Sequence, residues 1–316
     1  MRFWFVGDVL RWLLDIVYNI IPNYGWAIIV FVFVIRLCLL PLYIKSRRGM
    51  KRMQDVQPQI DYLQKKYAND KERLNQKMAD LYKKEKISPM SGCLPMLIQM
   101  PILFAMFAVM REVANERTIA MIFEIKAALE AGITDFQPQL ESFLWIKNIF
   151  QPDSFMSTVV PVFGSGLMEV SAYGSLTQEM IDEARAFLST DMYAAWSNAY
   201  GNSIIYDAPM LLWTISIPQV FNGLFILPLL SAGTQMLTSK LMNNSTPAAS
   251  TEQQKSTNQM MKWFFPLFSL WICSSSNAGF ALYWVAANII QALQQVLINK
   301  WIKITDSKKL NEEAGK

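Results

Sequence analysis

The stretch Trp26–Leu42, WAIIVFVFVIRLCLLPL, sets one arginine inside an apolar run. Arg36 is the only charged residue between Asp15 and Lys45, and the run is long enough to cross a bilayer as a helix. A guanidinium keeps its charge in proteins, and its placement near the centre of a membrane helix costs about 3 kcal/mol on insertion scales. We therefore expect Arg36 to have a function, with snorkelling toward the membrane surface as the simpler alternative.

Four stretches of the chain lack charged residues apart from Arg36, and 53% of all residues are hydrophobic. These stretches are Ile16–Ile44, Ile87–Met110, Ala208–Ser239 and Trp263–Asn299. A spanning helix needs about 20 apolar residues, so each of the first three predicts one span. The fourth is too long for one helix, and turn-forming residues, CSSSNAG, divide it into two. The sequence thus predicts an all-α polytopic membrane protein with five transmembrane helices.

Basic residues are concentrated in one connection, which predicts the orientation of the chain. Segment 45–86 carries thirteen Lys and Arg residues, whereas the longer segment 111–207 carries five, together with thirteen acidic residues. The positive-inside rule places the basic segment in the cytoplasm and the acidic segment outside. With five spans, the N-terminus is then external and the C-terminus cytoplasmic.

The predicted organisation has ten parts, divided at these changes of composition. They are an external interfacial amphipathic helix over 1–22, spans over 23–44, 89–111, 221–240, 262–276 and 277–300, a cytoplasmic helical hairpin over 45–88, an extracytoplasmic loop over 112–220, a cytoplasmic loop over 241–261 and a cytoplasmic tail over 301–316. A sixth span over the first segment is the alternative. The three charges Asp8, Arg11 and Asp15 argue against it.

Three polar segments outside the spans show helical periodicity. In the first, apolar residues share one helical side: Phe5, Val9, Trp12, Leu13, Ile16 and Ile20. Segment 54–86 repeats apolar residues in two runs around ANDKE, which predicts paired helices that serve as a docking arm; a solvated loop is the alternative. In segment 175–200, Ser175 and Gln178 stand at capping-box spacing and predict a helix.

Several kinds of chemistry are excluded by composition. The chain has no histidine, and Cys38, Cys93 and Cys273 lack the spacing of metal ligands. It contains neither a Gly-rich phosphate loop nor a nucleotide-binding motif. We therefore predict no catalytic residues, no metal, no cofactor and no direct contact with nucleic acid.

Polar residues inside the four charge-poor stretches are neutral apart from Arg36. Trp284, Asn288, Gln291 and Gln295 follow at i, i+4, i+7 and i+11, on one narrow helical face. Gln99, Thr234 and Gln235 lie in other spans. Since none of the predicted spans contains Asp or Glu, these residues and water are the expected surroundings of Arg36, in a hydrated cavity. Interhelical hydrogen bonds that only hold the bundle together are the alternative.

Five motifs, in order along the chain, resemble those of the YidC/Oxa/Alb membrane-protein insertases. They are WAIIVFVFVIRLCLLPL (Trp26–Leu42), GCLPMLIQMPILFAMF (Gly92–Phe107), FLWIKNIFQPD (Phe143–Asp153), ILPLLSAGTQMLTSKL (Ile226–Leu241) and AGFALYWVAANIIQALQQVLI (Ala278–Ile298). The basic segment separates the first two, as in the family. Without a large domain before the first core span, the chain resembles the compact bacterial type.

The resemblance implies a function and a set of site residues. Family members insert proteins into membranes, alone or beside the Sec translocon, through a hydrophilic groove open to the cytoplasm and the lipid. Arg36 corresponds to the family's groove arginine, and Tyr283 and Trp284 to its aromatic pair. With the polar residues of the spans, the candidate substrate-contacting set is Arg36, Gln99, Thr234, Tyr283, Trp284, Asn288 and Gln291.

The resemblance also implies a location and partners. The location is the bacterial cytoplasmic (inner) membrane, and the clients are nascent membrane proteins with short acidic tails. Further partners are the Sec translocon, the lipid bilayer, and the ribosome–nascent chain or signal recognition machinery through hairpin 45–88. The short, mildly basic tail predicts only weak ribosome binding.

The chain departs from the family pattern at three positions. Val32 stands where a threonine is common, Asn277 where a proline is usual, and roughly sixty residues are inserted between Asp153 and Ile226. Two other classes of protein remain open. One is a small-anion carrier or channel with Arg36 as its binding site, although we find no internal repeats of the kind carriers show. The other is a structural subunit whose partner supplies an acidic group.

Overall fold

The computed structural model describes residues 4–85, 87, 94–161, 175–203, 205–209, 214–218, 221–243 and 252–314. These residues form eleven helices and one two-stranded hairpin. In chain order they are α1 (Trp4–Ile20), α2 (Tyr24–Cys38), α3 (Leu40–Asp55), α4 (Gln57–Lys66), α5 (Lys71–Lys84), α6 (Leu94–Glu130), α7 (Gln178–Leu188), α8 (Asp191–Ser203), β1 (Ile205–Pro209), β2 (Thr214–Pro218), α9 (Ile226–Asn243), α10 (Glu252–Ser275) and α11 (Ala278–Ala314). The predicted helical fold class is confirmed.

One helix in the described part of the chain is long and apolar enough to cross a membrane: α11, over Ala278–Thr305. The pair α2 and α3 meets the same criterion only if it is taken as one span, and its two helices differ in direction by 57°. The count of five transmembrane helices therefore stays a prediction.

The chain divides into two compact units, and several helices contribute residues to both. The first unit comprises Met1–Val32, Leu103–Ser231 and Ser269–Ala286, and the second comprises Phe33–Ile102, Ala232–Phe268 and Ala287–Lys316.

In the first unit, α1 is bound to α6 through an arginine. Arg11 donates from Nη2 to Glu116 Oε2 at 2.7 Å and from Nε to Asp15 at 3.0 Å. The charged side predicted for α1 therefore contacts α6, through the ion pair of Arg11 with Glu116. Leu10, Leu14 and Val17 are buried, while Phe5, Val9, Trp12 and Ile20 are exposed. Apolar residues are therefore present on both a buried and an exposed side of α1.

Helix α6 runs well beyond Arg111, the residue at which the second span was predicted to end. Roughly its last three turns pack against α7 and α8 in a continuous apolar core. Ile119, Ile122 and Ile125 from α6 are fully buried, and Tyr193 and Trp196 from α8 complete the cluster. Much of the predicted extracytoplasmic segment 112–220 is thus a packed helical layer, stabilised by apolar burial.

The helix predicted over 175–200 is two helices, and its predicted cap was wrong. The hydroxyl of Thr177, not that of Ser175, accepts the hydrogen bond from the Met180 N–H that caps α7. Ser175 instead donates to Glu116 at 3.1 Å. Both hydroxyls suit an N-cap, so the sequence did not distinguish two candidates two residues apart.

The antiparallel hairpin was not predicted. Strand β1 pairs with β2 in a register that sets Ile205 opposite Pro218 and Pro209 opposite Thr214. Each proline stands at the end of its strand, where its missing N–H costs the ladder least. This stretch was predicted only as part of the extracytoplasmic loop 112–220.

The two ends of the inserted segment are held together by buried polar groups. Asn222 donates from its amide to the carbonyls of Asn148, Gln151 and Pro152, and its backbone N–H donates to Ser157 at 2.8 Å. Asp153, fully buried, accepts the N–H groups that precede and begin α9. The residues just before the inserted segment, around Asp153, are therefore in contact with those just after it, around Asn222.

In the second unit, α4 and α5 form two antiparallel helices over the segment predicted as a hairpin. Asp70 caps α5 by accepting the Arg73 N–H at 3.0 Å. A small apolar core, Met53, Val56, Ile60 and Leu81, joins the end of α3 to both helices. A core of this size fixes the arrangement locally but contributes little stability by itself.

Candidate functional site: a buried arginine with neutral partners

A break between α2 and α3 follows the arginine directly. Helix α2 ends at Cys38 and α3 begins at Leu40, with Pro41 in its first turn. Proline has no N–H to donate to the carbonyl of Leu37, and its ring crowds that carbonyl, which accounts for a bend at this point. The bend lies within about one turn after Arg36, so the helix that carries the arginine does not continue straight.

Arg36 is buried, with 5% of its surface exposed, and its partners come from two helices of the second unit. Nη2 donates to Gln291 Oε1 at 2.9 Å and to the carbonyl of Ala287 at 3.3 Å, both on α11. Nη1 donates to the hydroxyl of Tyr43 on α3 at 2.5 Å. The structure thus brings together Arg36 and Gln291, two of the residues that the sequence singled out.

Tyr43 links the arginine to α6, and the sequence analysis had not selected it. Its hydroxyl accepts from Arg36 and donates to Gln99 Oε1 at 3.3 Å. Tyr43 lies seven positions after Arg36, a spacing that in a continuous helix would place both residues on the same side. The spacing is visible in the sequence. Tyr43 was not predicted because it lies at the end of the span 23–44, and only polar residues well inside the spans were considered.

The partners of Arg36 among the described residues are all neutral. In the described part of the chain, Arg36 has hydrogen bonds to a hydroxyl, an amide oxygen and a carbonyl, and no ion pair. A guanidinium has five N–H donors, and these contacts engage three. The site therefore holds a buried positive charge with N–H donors that its described partners do not engage.

Two further residues of the predicted set form a separate contact in the same unit. Asn288 on α11 donates from Nδ2 to Thr234 Oγ1 on α9 at 3.3 Å. Thr238, one turn further, donates to the carbonyl of Asn288 at 3.4 Å. This is the geometry of an interhelical hydrogen bond, the alternative considered for the polar residues of the spans. Their role as substrate contacts stays a prediction.

The predicted aromatic pair belongs to the first unit. Tyr283 and Trp284 are 3% and 6% exposed, and both rings lie against Phe280, at 6.2 and 5.7 Å between centroids. Asn277, at the position where the family usually has proline, caps α11 by accepting the Phe280 N–H at 2.9 Å. This arrangement packs the pair beside the first turn of the helix.

Polar side chains continue from Tyr43 toward Arg47. A cavity of about 10 Å³, near the volume one water needs, is lined by Tyr43, Arg47, Met50, Gln291, Gln294, Gln295 and Ile298. Nη1 of Arg47, Oε1 of Gln294 and Nε2 of Gln295 are buried and have no hydrogen-bond partner among the residues that the structure describes. Burial lowers the pKa of the Arg47 guanidinium, whose charge nevertheless persists at neutral pH. These groups are suited to hold water beside the arginine cluster.

Comparison with known proteins identifies the family. The chain matches the family described as 60Kd inner membrane protein over residues 16–307. It is 31% identical over 295 residues to Membrane protein insertase YidC of Treponema denticola, covering 93% of this chain and 37% of that protein. The protein of the same name from Treponema pallidum is 27% identical over 292 residues, covering 92% of this chain and 34% of the relative.

A shorter relative matches a larger share of its own length. Membrane protein insertase YidC of Fusobacterium nucleatum is 32% identical over 207 residues, covering 66% of this chain and 80% of that protein. The chain thus spans little more than a third of the two Treponema relatives. Since the family match covers most of the chain, this protein belongs to the 60Kd inner membrane protein family, the family of the YidC insertases that its motifs resemble.

Proposed function

We propose that this protein is a membrane protein insertase that binds the acidic, translocated part of a client at Arg36. The observation that carries the proposal is a buried arginine whose described partners are all neutral and leave N–H donors unused. The relatives named as insertases, which match most of the chain, support it.

The mechanism proposed here needs no bond-making chemistry. A carboxylate of the client approaches Arg36 and accepts its remaining N–H donors. At a separation of about 4 Å and an effective dielectric constant near 20, this attraction is worth about 4 kcal/mol before desolvation is subtracted. The client's apolar segment moves into lipid at the same time.

Burial of the client's apolar segment supplies the larger energy. Each large apolar side chain that leaves water contributes about 1.5–3 kcal/mol, so a span of about 20 residues exceeds the arginine's contribution several times. Arg36 therefore lowers the cost of carrying the acidic tail through the hydrocarbon, and the apolar segment drives the reaction forward. Client insertion then proceeds without nucleotide hydrolysis.

The remaining parts of the proposal concern the membrane and the partners. We propose five spans around a cytoplasm-open hydrophilic groove, in the inner membrane, with an external N-terminus and a cytoplasmic C-terminus. The paired helices α4 and α5 then lie in the cytoplasm, where they contact the ribosome–nascent chain, the signal recognition machinery or the Sec translocon. Gln99, Thr234, Tyr283, Trp284, Asn288 and Gln291 line the client's path.

Reconstitution tests the insertase function directly. Purified full-length protein in liposomes is supplied with a short client that carries one acidic residue in its translocated tail, and insertion is measured by protection from protease. We expect insertion above that in empty liposomes, abolished by Arg36→Ala and retained by Arg52→Ala, an exposed arginine of α3. Equal protection in empty and protein-containing liposomes would remove the proposal's support.

A further inference from the structure

A turn over residues 154–157, called here the apolar turn, exposes apolar side chains and follows buried polar ones. Phe155 and Met156, at its tip, are 54% and 84% exposed, whereas Asp153 and Ser154 are 0% and 7% exposed. Turns in contact with water are usually formed by Gly, Pro, Asn, Asp and Ser. The inverted distribution here favours an apolar medium around the tip.

Hydrogen bonds fix the apolar turn in place. Within it, Oγ of Ser154 accepts the Met156 N–H at 3.0 Å. The carbonyl of Ser154 accepts the Gly223 N–H at 3.2 Å. The carbonyl of Ser157 accepts the Asn222 N–H at 2.8 Å. Both ends of the turn are thus bound to the residues just before α9, and these bonds set the position of the two exposed side chains.

The apolar turn adjoins the start of α9. The ring of Phe155 lies 6.2 Å from that of Phe225, the residue before the helix, measured between ring centroids. Leu229 and Leu230, in the first two turns of α9, are exposed as well. Exposed apolar side chains are therefore present on both sides of the point where the third proposed span begins.

The composition of this surface favours lipid over a polar partner. Segment 151–160 contains one charged residue, Asp153, which is buried and accepts the Leu227 N–H at the start of α9. Segment 208–239 contains no charged residue. A surface of large apolar side chains without an exposed charge suits acyl chains, and the proposed topology places the external leaflet at the start of α9.

The residues after the apolar turn belong to the core that joins α6, α7 and α8. Val159 and Val160 are buried in that core, and only Thr158 separates them from the turn. The carbonyl of Pro161 accepts a hydrogen bond from the Tyr193 hydroxyl on α8. A contact between the turn and lipid is therefore passed directly to the packed helical layer.

We propose that the apolar turn inserts Phe155 and Met156 among the acyl chains of the external leaflet. It thereby gives the layer of α6, α7 and α8 a second attachment to the membrane, besides α6 itself. Asp153 and Ser154, the polar residues beside the tip, already have hydrogen-bond partners within the protein and oppose insertion little. The inference rests on the membrane placement proposed for α9, and it assigns a role that client binding does not require.

Fluorescent labels at three positions test the contact with lipid. In a full-length chain whose three native cysteines are replaced by alanine, Met156→Cys, Leu229→Cys and Ile133→Cys are made singly and labelled with nitrobenzoxadiazole. Each protein is reconstituted in liposomes, and its emission is measured with iodide on both sides of the membrane or with lipids that carry a nitroxide on the acyl chain. Circular dichroism checks that each variant is folded.

Ile133 is the matched control for Met156. It is an apolar residue of the same unit, 49% exposed, and it lies three positions after the end of α6. Helix α6 has 37 residues, about 55 Å at the helical rise, whereas a hydrocarbon core is about 30 Å thick. The end of α6 therefore lies outside the membrane in the proposed topology. Leu229 reports on α9 itself.

We expect nitroxide lipid to lower the emission at position 156 as strongly as at 229, and to leave that at 133 unchanged. Iodide should lower the emission at 133 only. If position 156 responds as 133 does, the inference is wrong. A label at 156 that neither quencher reaches is covered by protein, from a second copy or another subunit, and this result also overturns the assignment to lipid.

The label at position 229 separates this inference from the proposed function. Lipid contact at 229 without contact at 156 keeps α9 as a span and removes only the inserted turn. Lipid contact at 156 without contact at 229 supports the turn and contradicts the span. Absence of lipid contact at both positions overturns both.

A double variant tests whether the contact also attaches the helical layer. Phe155→Ser with Met156→Ser makes the tip polar, and Ile133→Ser with Met192→Ser makes the same change at two exposed positions elsewhere in the layer. We expect protease to cleave segment 158–220 severalfold faster in the first variant in liposomes, and at the wild-type rate in the second. Equal rates in the two double variants would overturn the second attachment.

Discussion

Arg36 and Gln291 stand 255 positions apart in the chain, and Nη2 of the arginine donates to Oε1 of the glutamine at 2.9 Å. An amide oxygen satisfies a donor without cancelling its charge, whereas a carboxylate at the same distance would form a closed ion pair. The contact therefore fixes the position of the guanidinium. It leaves the positive charge uncompensated, so that the charge still attracts an acidic group. This is the physical basis for the proposal that Arg36 binds the acidic part of a client.

Tyr43→Phe tests whether the hydroxyl between Arg36 and Gln99 contributes to the site. The change keeps the ring and removes an acceptor for Nη1 and a donor to Gln99. We expect about 1 kcal/mol lower stability and about threefold less client insertion, because Arg36 is less well fixed. Thermal unfolding in detergent and the liposome assay measure the two effects.

Tyr62→Phe on α4, where the ring is exposed, is the matched control. If Tyr62→Phe lowers stability and insertion as much as Tyr43→Phe does, Tyr43 has no specific role.

Asp153→Asn tests the buried carboxylate at the base of the inserted segment. One carboxylate oxygen accepts the N–H groups of Leu224 and Phe225, and the other accepts those of Leu227 and the Trp145 indole. An asparagine turns one acceptor into a donor that faces two other donors. We expect a loss of about 2–4 kcal/mol in the free energy of unfolding.

Chemical denaturation in detergent measures this loss. Asp135→Asn makes the same chemical change at an exposed position and should be nearly neutral. If the two variants unfold at the same denaturant concentration, Asp153 does not hold the start of α9.

Lys147 predicts a pH dependence of stability. The residue is 2% exposed, and burial lowers its pKa from 10.5 to about 8. Between these values the unfolded chain holds a proton that the folded chain has released, so the free energy of unfolding rises from about pH 8 to 10.5. Below pH 8 the folded protein carries the full cost of the buried charge.

The variant Lys147→Met removes this charge and keeps most of the chain length of the lysine. We expect it to be about 3 kcal/mol more stable than wild type at pH 7, since the pKa falls from 10.5 to about 8 and each pKa unit corresponds to about 1.4 kcal/mol. The advantage should shrink as the pH approaches 10. Unfolding at several pH values, with Lys65→Met as an exposed control, measures the difference; an advantage that does not change with pH would contradict the assigned cause.

The helical class and the arginine cluster could be predicted in part from sequence, because both depend on local periodicity. The i, i+7 spacing of Trp284 and Gln291 and the turn before Ala278 are short-range signals, and α10 and α11 do meet at that turn. The hydrogen bonds from Arg36 through Tyr43 to Gln99, and from Asn288 to Thr234, depend on which helices lie next to each other. The periodicity of a single sequence does not show which helices are neighbours.

Other differences have local causes that compete. Two hydroxyl residues, Ser175 and Thr177, suited the cap of α7; Thr177 accepts the capping N–H, and Ser175 donates to Glu116 on α6 instead. The charges that follow Met110 predicted the end of a span, yet α6 continues because a charge ends a membrane segment and not a helix. The hairpin of β1 and β2 lies partly in the apolar stretch Ala208–Ser239. Because nearly all residues there are apolar, the alternation of apolar and polar residues that is typical of a strand could not be recognised.

The most direct test of the central claim is a double-mutant cycle between Arg36 and the acidic residue of the client. Wild type, Arg36→Ala and Arg36→Lys are each reconstituted and given the client with its acidic residue or with a neutral one, and the initial rate of insertion is measured. If Arg36 attracts that residue, alanine abolishes insertion of the acidic client, lysine largely restores it, and the neutral client depends little on position 36. Equal losses for both clients with alanine would contradict the account and make Arg36 a structural residue.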